Sequence, residues 1–289
     1  MTFWPPSIPV RARAFALPLT HLPRLSAAPV DSKALLATLE TFMATLRPDL
    51  KGSLSQSVVS RKEAFHVNHD SLRAWADKNS GFISLIDVKH RATGRRTIFS
   101  AADAVNAILD KLGSLDVFDL QAGQTLDVVA VKAIRGEMVD AKTYKPMWVL
   151  SPGETLPAKR HTLSYRVIFG RRQGGIPVLR SSFIASITPQ GRLVELSRLW
   201  HRVIVQADNT KLDAMPQGLD AWLRSQLITR GLSAVMAVEL KGCGYLEPVM
   251  RDKTTSFAPT CLAIATDAEN PQGRLFKLPL TTTAEEVTP

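Results

Sequence analysis

The stretch that decides the fold runs from Leu163 to Val203 and reads "LSYRVIFGRRQGGIPVLRSSFIASITPQGRLVELSRLWHRV". It contains runs in which apolar residues alternate with polar residues, which is the pattern of half-buried strands. The segments "GRRQGGIP" and "TPQGR" separate these runs, and their glycines and prolines are typical of tight turns. Because connections this short leave no room for a crossover helix, they predict antiparallel neighbours.

Basic residues surround the first of these turns. Arg171 and Arg172 lie at its entry, Arg180 follows it, and Arg202 lies at the end of the stretch. The turn itself needs only its glycines, so we predict that these four arginines bind an acidic partner, since a guanidinium can hold a carboxylate or phosphate with two hydrogen bonds. The alternative is a tip that is merely solvated. In both cases we expect that replacing Arg171 and Arg172 together leaves stability almost unchanged.

Three amphipathic segments predict helices near residues 32–46, 100–112 and 217–229. Asp31 or Ser32 can cap the first helix, and Ser100 with Asp103 approximates a capping box for the second. Extended segments follow each helix. This order predicts an α+β fold in which helices pack on antiparallel sheets, with the helix-then-strands pattern repeated about three times.

The same pattern divides the chain into units. They are a proline-rich N-terminal arm (1–30), an N-terminal helix-plus-strands unit (31–98), a central helix-plus-antiparallel-sheet unit (99–208), a C-terminal helix-plus-strands unit (209–280) and a tail (281–289).

Composition limits the class of protein and its partners. The chain has 289 residues, a net charge of +10 and a calculated isoelectric point of about 9.9, which favours an acidic protein surface or an anionic polymer as the partner. Its positive charges are scattered, so there is no basic tail and no specific nucleic-acid motif. No apolar run approaches the ~20 residues that a transmembrane helix needs.

The two cysteines, Cys243 and Cys261, lie in segments that read as neighbouring strands. A disulfide between them is geometrically feasible, and two buried free thiols are the alternative. A disulfide would favour a secreted or periplasmic protein, with a cytoplasmic one as the alternative.

No specific catalytic or cofactor signature is present. The G-x-S-x-G, Walker and dinucleotide-binding patterns are absent, so we assign no catalytic residues and no cofactor. His66 and His69 read as strand positions that point to opposite faces, which does not favour a metal site.

The predicted helix "SAADAVNAILDKLG" is followed by the stretch "YRVIFGRRQGGIPVLRSSFIASITPQGRLVELSRLW". This order of a helix and strands resembles bacterial PepSY-like domains and the related propeptide domains of secreted metallopeptidases. The likeness covers about Ser100 to Val205. No H-E-x-x-H follows, so the peptidase itself is not implied. The resemblance implies a free-standing binding, inhibitory or chaperone-like module.

We therefore predict a non-enzymatic protein that engages a protein or an acidic polymer. The alternative is an α+β enzyme that acts on a small molecule in a pocket between helix and sheet. Such a pocket would be lined by Tyr165, Trp148 and Trp200, with Asp127 or Glu195 as its acid.

Overall fold

A computed structural model of the chain describes residues 21–50, 55–88, 96–113, 116–136, 161–212, 219–232, 237–248, 255–267 and 270–281. Within these ranges, the α-helices are α1 (Ser32–Leu46), α2 (Ala101–Leu112) and α3 (Leu219–Thr229). The strands are β1 (His21–Ala27), β2 (Val58–Ser60), β3 (Ala64–Asn68), β4 (Leu72–Asp77), β5 (Ile83–Asp87), β6 (Gln124–Gly136), β7 (His161–Gln173), β8 (Ile176–Ile187), β9 (Leu193–Leu199), β10 (Val203–Lys211), β11 (Ala237–Leu246), β12 (Ala258–Thr266) and β13 (Arg274–Pro279).

The predicted fold class is wrong, although the three helices lie where the amphipathic pattern placed them. The described chain is mostly strand, and eleven of its thirteen strands form a single sheet instead of three helix-plus-strands repeats. The reason is that strands pair across the predicted units. β5 pairs with β9, and β8 pairs with β11, and the periodicity of a strand gives no indication of which distant strand it joins.

The large sheet branches at β8. One edge of β8 pairs with β7 along most of its length, and β6 pairs in turn with β7. The other edge is shared: residues 182–187 pair with β9, and Val178 and Leu179 pair with β11. Apart from the branch formed by β7 and β6, the strand order of the large sheet is β13-β12-β11-β8-β9-β5-β4-β3-β2. β1 and β10 form a separate two-stranded sheet.

Arg180 lies between the two shared segments of β8. Its φ of 68° is in the left-handed region, which an arginine rarely adopts. The strand changes partner at this residue, from β11 to β9. The β8–β11 pair is parallel, whereas the other strand pairs among the described residues are antiparallel.

Two apolar cores lie on the sheet. In the first, α1 packs on β4, β5 and β9, and α2 packs on β6, β7 and β8. In the second, Trp222, Leu223 and Leu227 of α3 join side chains of β1, β11, β12 and β13. Asp31 caps α1, and Ser100 with Asp103 forms the predicted capping box of α2. These two caps fix where the helices of the first core begin.

The predicted disulfide is confirmed. Cys243 on β11 lies directly opposite Cys261 on β12, and the two are bonded and buried. The glycines on either side have structural roles. The register of the pair shifts just before Gly242, and a Cβ on Gly244 would lie 2.1 Å from the Pro177 carbonyl oxygen of β8.

The last residues of the predicted N-terminal arm form β1, which pairs with β10 and buries Leu22 and Leu25. Among the helices described, none is both long and apolar enough to cross a membrane.

Candidate anion-binding cavity

The four arginines predicted to bind a partner lie in four different environments. Arg171 is only 2% exposed, so the alternative in which it lies on a merely solvated tip is wrong. Arg172 is partly exposed, where it pairs with Asp127 and donates to the Gly175 carbonyl oxygen. Arg180 is exposed on β8, whereas Arg202 lines a cavity. The structure therefore does not bring the four together at one surface.

Arg171 belongs to a buried polar network centred on Glu247. The Arg171 Nη2 lies 3.4 Å from Glu247 Oε1, and its Nε donates to Ser181 Oγ at 2.8 Å. Glu247 also accepts hydrogen bonds from the Ser181 hydroxyl and the His201 backbone N–H. The Arg171 guanidinium lies 5.2 Å from the centre of the Trp200 ring. The same Trp200 forms part of the wall of a cavity.

The cavity has a volume of about 220 Å³ and lies between the N-terminal end of α1 and the sheet. Its apolar wall comprises Pro29, Val30, Leu35 and Trp200, and its polar wall comprises Asp31, Thr38, Ser80, Asp119, Arg198 and Arg202. The alternative prediction of an enzyme also placed a pocket between a helix and the sheet. Among the described residues, Trp200 is the one that belongs both to that predicted pocket and to this cavity.

Two guanidinium groups share one carboxylate on the polar wall. Arg198 Nη1 donates to Asp119 Oδ2 at 3.0 Å, and Arg202 Nη2 lies 3.0 Å from Asp119 Oδ1. Arg198 Nη2 reaches the Gly81 carbonyl oxygen at 3.5 Å. The buried Arg198 Nε has no hydrogen-bond partner among the described residues. The wall therefore has more cationic donors than acceptors.

Asp31 corrects this imbalance only in part. Its side chain accepts the Lys33 N–H at 2.9 Å as the N-cap of α1, where the positive end of the helix dipole offsets its charge. The Ser32 and Ala34 N–H groups belong to the first helical turn, which has no intrahelical acceptors. The helix end therefore offsets about half of the negative charge that Asp31 brings to the cavity.

Burial makes the charge of the wall costly. Arg198 is 5% exposed, and desolvation lowers its pKa despite the opposing effect of Asp119, with Arg202 lowering it further. Desolvation likewise lowers the pKa of Arg171, although Glu247 opposes that change. Both side chains stay protonated at neutral pH. An anion that entered the cavity would offset part of this desolvation cost.

The residues of the predicted enzyme pocket do not converge. The Tyr165 hydroxyl donates to the Phe99 carbonyl oxygen, Asp127 pairs with Arg172, and Glu195 accepts from Arg166 and Ser186. Trp148 lies outside the described residues.

In the part of the chain that the structure describes, no group of three or more His, Cys, Asp or Glu side chains could hold a metal ion.

Sequence reasoning missed Arg198 and Asp119. A signal for Arg198 was readable, because it lies on β9 two residues from the buried Leu196 and two residues before the buried Trp200, which follows the strand. An arginine at a core-facing strand position calls for a paired charge or a ligand. Asp119 lies in an irregular segment after α2, and no local pattern indicates that it would reach β9.

The comparisons with known proteins leave the function open. No family model matches the chain, and no curated protein matches it. The chain is similar to the crystal structure, at 1.45 Å resolution, of an uncharacterized protein from Eubacterium rectale ATCC 33656. The two are 10% identical with a TM-score of 0.47, and the match covers 91% of this chain and 85% of that chain. The resemblance to PepSY-like domains stays a prediction.

Proposed function

We propose that this protein is a non-enzymatic binding protein that engages an acidic protein partner, with an anionic group of the partner held in the cavity by Arg198 and Arg202. The observation that carries the proposal is the buried Arg198 side chain. It lines the cavity, it shares its carboxylate with Arg202, and its Nε has no acceptor among the described residues. Two guanidinium groups that share one carboxylate leave positive charge unpaired beside the cavity, and an anionic ligand supplies the missing partner.

The size of the cavity limits what enters it. Its volume of about 220 Å³ is below the ~300–1,000 Å³ of pockets that enclose drug-sized ligands. Only one group of a larger partner therefore fits, and the remainder contacts the rim. Arg202 suits the rim, because its side chain is 58% exposed and still reaches Asp119. The net charge of +10 favours an acidic partner over a basic one.

The proposal is tested with a fluorescein-labelled peptide, Gly-Ser-Glu-Gly-Asp-Val with a free C-terminus, and with a neutral version carrying Gln, Asn and a C-terminal amide. Fluorescence anisotropy measures binding of each peptide. We expect the acidic peptide to bind and the neutral one to bind at least tenfold more weakly, since hydrogen bonds to charged groups contribute about 1.5–3 kcal/mol.

Two arginine variants locate the site. Arg202→Gln should weaken binding of the acidic peptide about tenfold, whereas Arg172→Gln, which removes an equal charge on β7 at a residue that does not line the cavity, should change it less than twofold. Equal losses in both variants would show attraction by net charge alone and would overturn the cavity as the site. Equal binding of the acidic and neutral peptides would overturn the proposed function.

A further inference from the structure

We infer that the cavity takes the C-terminal carboxylate of a peptide chain, together with a small apolar side chain on its last residue. This inference rests on the proposed function and specifies which part of an acidic partner enters. Three features of the walls support it: their charge, their apolar surface and their acceptors for a backbone N–H.

The charge of the walls suits a single negative charge. Arg198 and Arg202 are balanced only in part by Asp119, so one carboxylate completes the pairing of the two guanidinium groups. A phosphate group carries nearly two charges at neutral pH, and it would lie beside both Asp119 and Asp31 in the same small cavity. Repulsion from these carboxylates disfavours a dianion.

The apolar wall distinguishes a chain terminus from an acidic side chain. Pro29, Val30, Leu35 and Trp200 line the same cavity as the charged groups. An internal Glu or Asp brings its carboxylate on a short linear stem and leaves this wall uncovered. A C-terminal residue carries its carboxylate and its side chain on one Cα, so both can enter a cavity of about 220 Å³. Burial of a Val or Leu side chain contributes further to binding.

The cavity also offers acceptors for the last peptide N–H. The Gly81 carbonyl oxygen is reached by Arg198 only at 3.5 Å. The Ser80 hydroxyl donates to Asp77 and accepts the Phe82 N–H at 3.3 Å, which leaves one lone pair of its oxygen to accept a further hydrogen bond. Capture of a C-terminal carboxylate by convergent donors, with the terminal side chain in a pocket, is an established mode of peptide recognition.

Three peptides of equal length separate the possibilities. The first is acetyl-Gly-Ser-Gly-Ser-Val with a free carboxylate, the second is its C-terminal amide, and the third is acetyl-Gly-Ser-Glu-Ser-Val amide. Calorimetric titration should show the free acid binding at least tenfold more tightly than either amide. If the third peptide binds as tightly as the first, and Arg202→Gln weakens both, the inference fails while the proposed function stands. If all three bind alike, both fail.

Two variants and a competitor complete the test. Arg202→Gln should remove the advantage of the free acid over its amide, and Arg172→Gln should preserve it. Ala34→Phe, at an exposed position on the cavity wall, should block the free acid without altering any charge, while thermal unfolding checks that the variant is folded. Displacement of the peptide by acetate or free valine at the peptide's own half-saturating concentration would overturn the inference in favour of a small acid.

Discussion

Arg171 and Glu247 form an ion pair in the interior, in which the Arg171 Nη2 lies 3.4 Å from Glu247 Oε1 and both side chains are at most 2% exposed. The pair joins β7 to the residue that follows β11, next to the parallel contact of β8 with β11. Ser181 and His201 contribute further hydrogen bonds to the same carboxylate. This network therefore connects the strands of the two apolar cores.

Glu247→Gln should lower the free energy of unfolding by about 3–5 kcal/mol, because removing one partner of a buried ion pair leaves an uncompensated charge. The substitution preserves the size of the side chain, so the loss reports charge and not packing. Urea unfolding followed by far-UV circular dichroism measures it. Asp127→Asn is the matched control, since it breaks the partly exposed pair with Arg172 and should cost about 1 kcal/mol or less. Equal losses of stability in the two variants would contradict the expectation that the buried ion pair matters more to stability than the partly exposed one.

Gly244→Ala should destabilise the contact of β8 with β11. A Cβ at this position would lie 2.1 Å from the Pro177 carbonyl oxygen, which is backbone and has no flexible side chain to move aside. We expect a loss of about 3 kcal/mol or more, in the upper range of single substitutions. Gly174→Ala is the control for the steric contact, because no atom lies within 4 Å of its added Cβ, so any loss there comes from its positive φ, which Gly244 does not have. Thermal unfolding should give Gly244→Ala a much lower melting temperature than Gly174→Ala.

Local features of the fold could be read from the sequence, but pairing could not. The caps at Asp31 and Ser100 and the paired cysteines follow from short-range patterns. The β5–β9 pair joins residues more than 100 positions apart, and the β8–β11 pair is parallel despite the hairpins on either side. Alternation indicates which face of a strand is buried, but not which strand lies beside it.

The candidate site shows the same limit. Arg171 and Arg172 are adjacent in a turn-rich stretch and look equivalent in the sequence, yet alternation sends one side chain to the buried Glu247 and the other to Asp127. Composition could not reveal that difference, because it depends on Glu247 being brought next to β7 and β8 by the pairing of β8 with the distant strand β11. Arg202 was predicted, whereas its partners Asp119 and Arg198 come together only in three dimensions.

Tyr245 should make stability fall at high pH. Burial raises the pKa of its phenol to about 12 from the ordinary 10.0. The unfolded chain therefore ionises at lower pH than the folded protein. The contribution of this group to stability is complete below pH 10 and is lost as the pH rises from 10 to 12, by about 2–3 kcal/mol in total. Urea unfolding at pH 9 and at pH 11 measures the decline.

Tyr245→Phe is the control for this pH dependence. It removes the hydrogen bond from the phenol to the Pro23 carbonyl oxygen and should cost about 1 kcal/mol at pH 9. Its stability should fall less steeply between pH 9 and pH 11 than that of the parent. The gap in the free energy of unfolding between the two proteins should therefore narrow. A gap that stays constant over this range would show that the phenol titrates alike in the folded and unfolded states.

The disulfide should stabilise the second apolar core. Cys243 and Cys261 are 18 residues apart, and a closed loop of this length contributes about 3 kcal/mol by limiting the unfolded chain. We expect the double variant Cys243→Ala with Cys261→Ala to unfold at correspondingly lower urea concentration. Reductant should destabilise the parent protein and leave the variant unchanged, which separates the bond from any packing effect of alanine. Thiol titration of the unreduced, denatured parent should find no reactive cysteine, and a value of two per chain would contradict the bond.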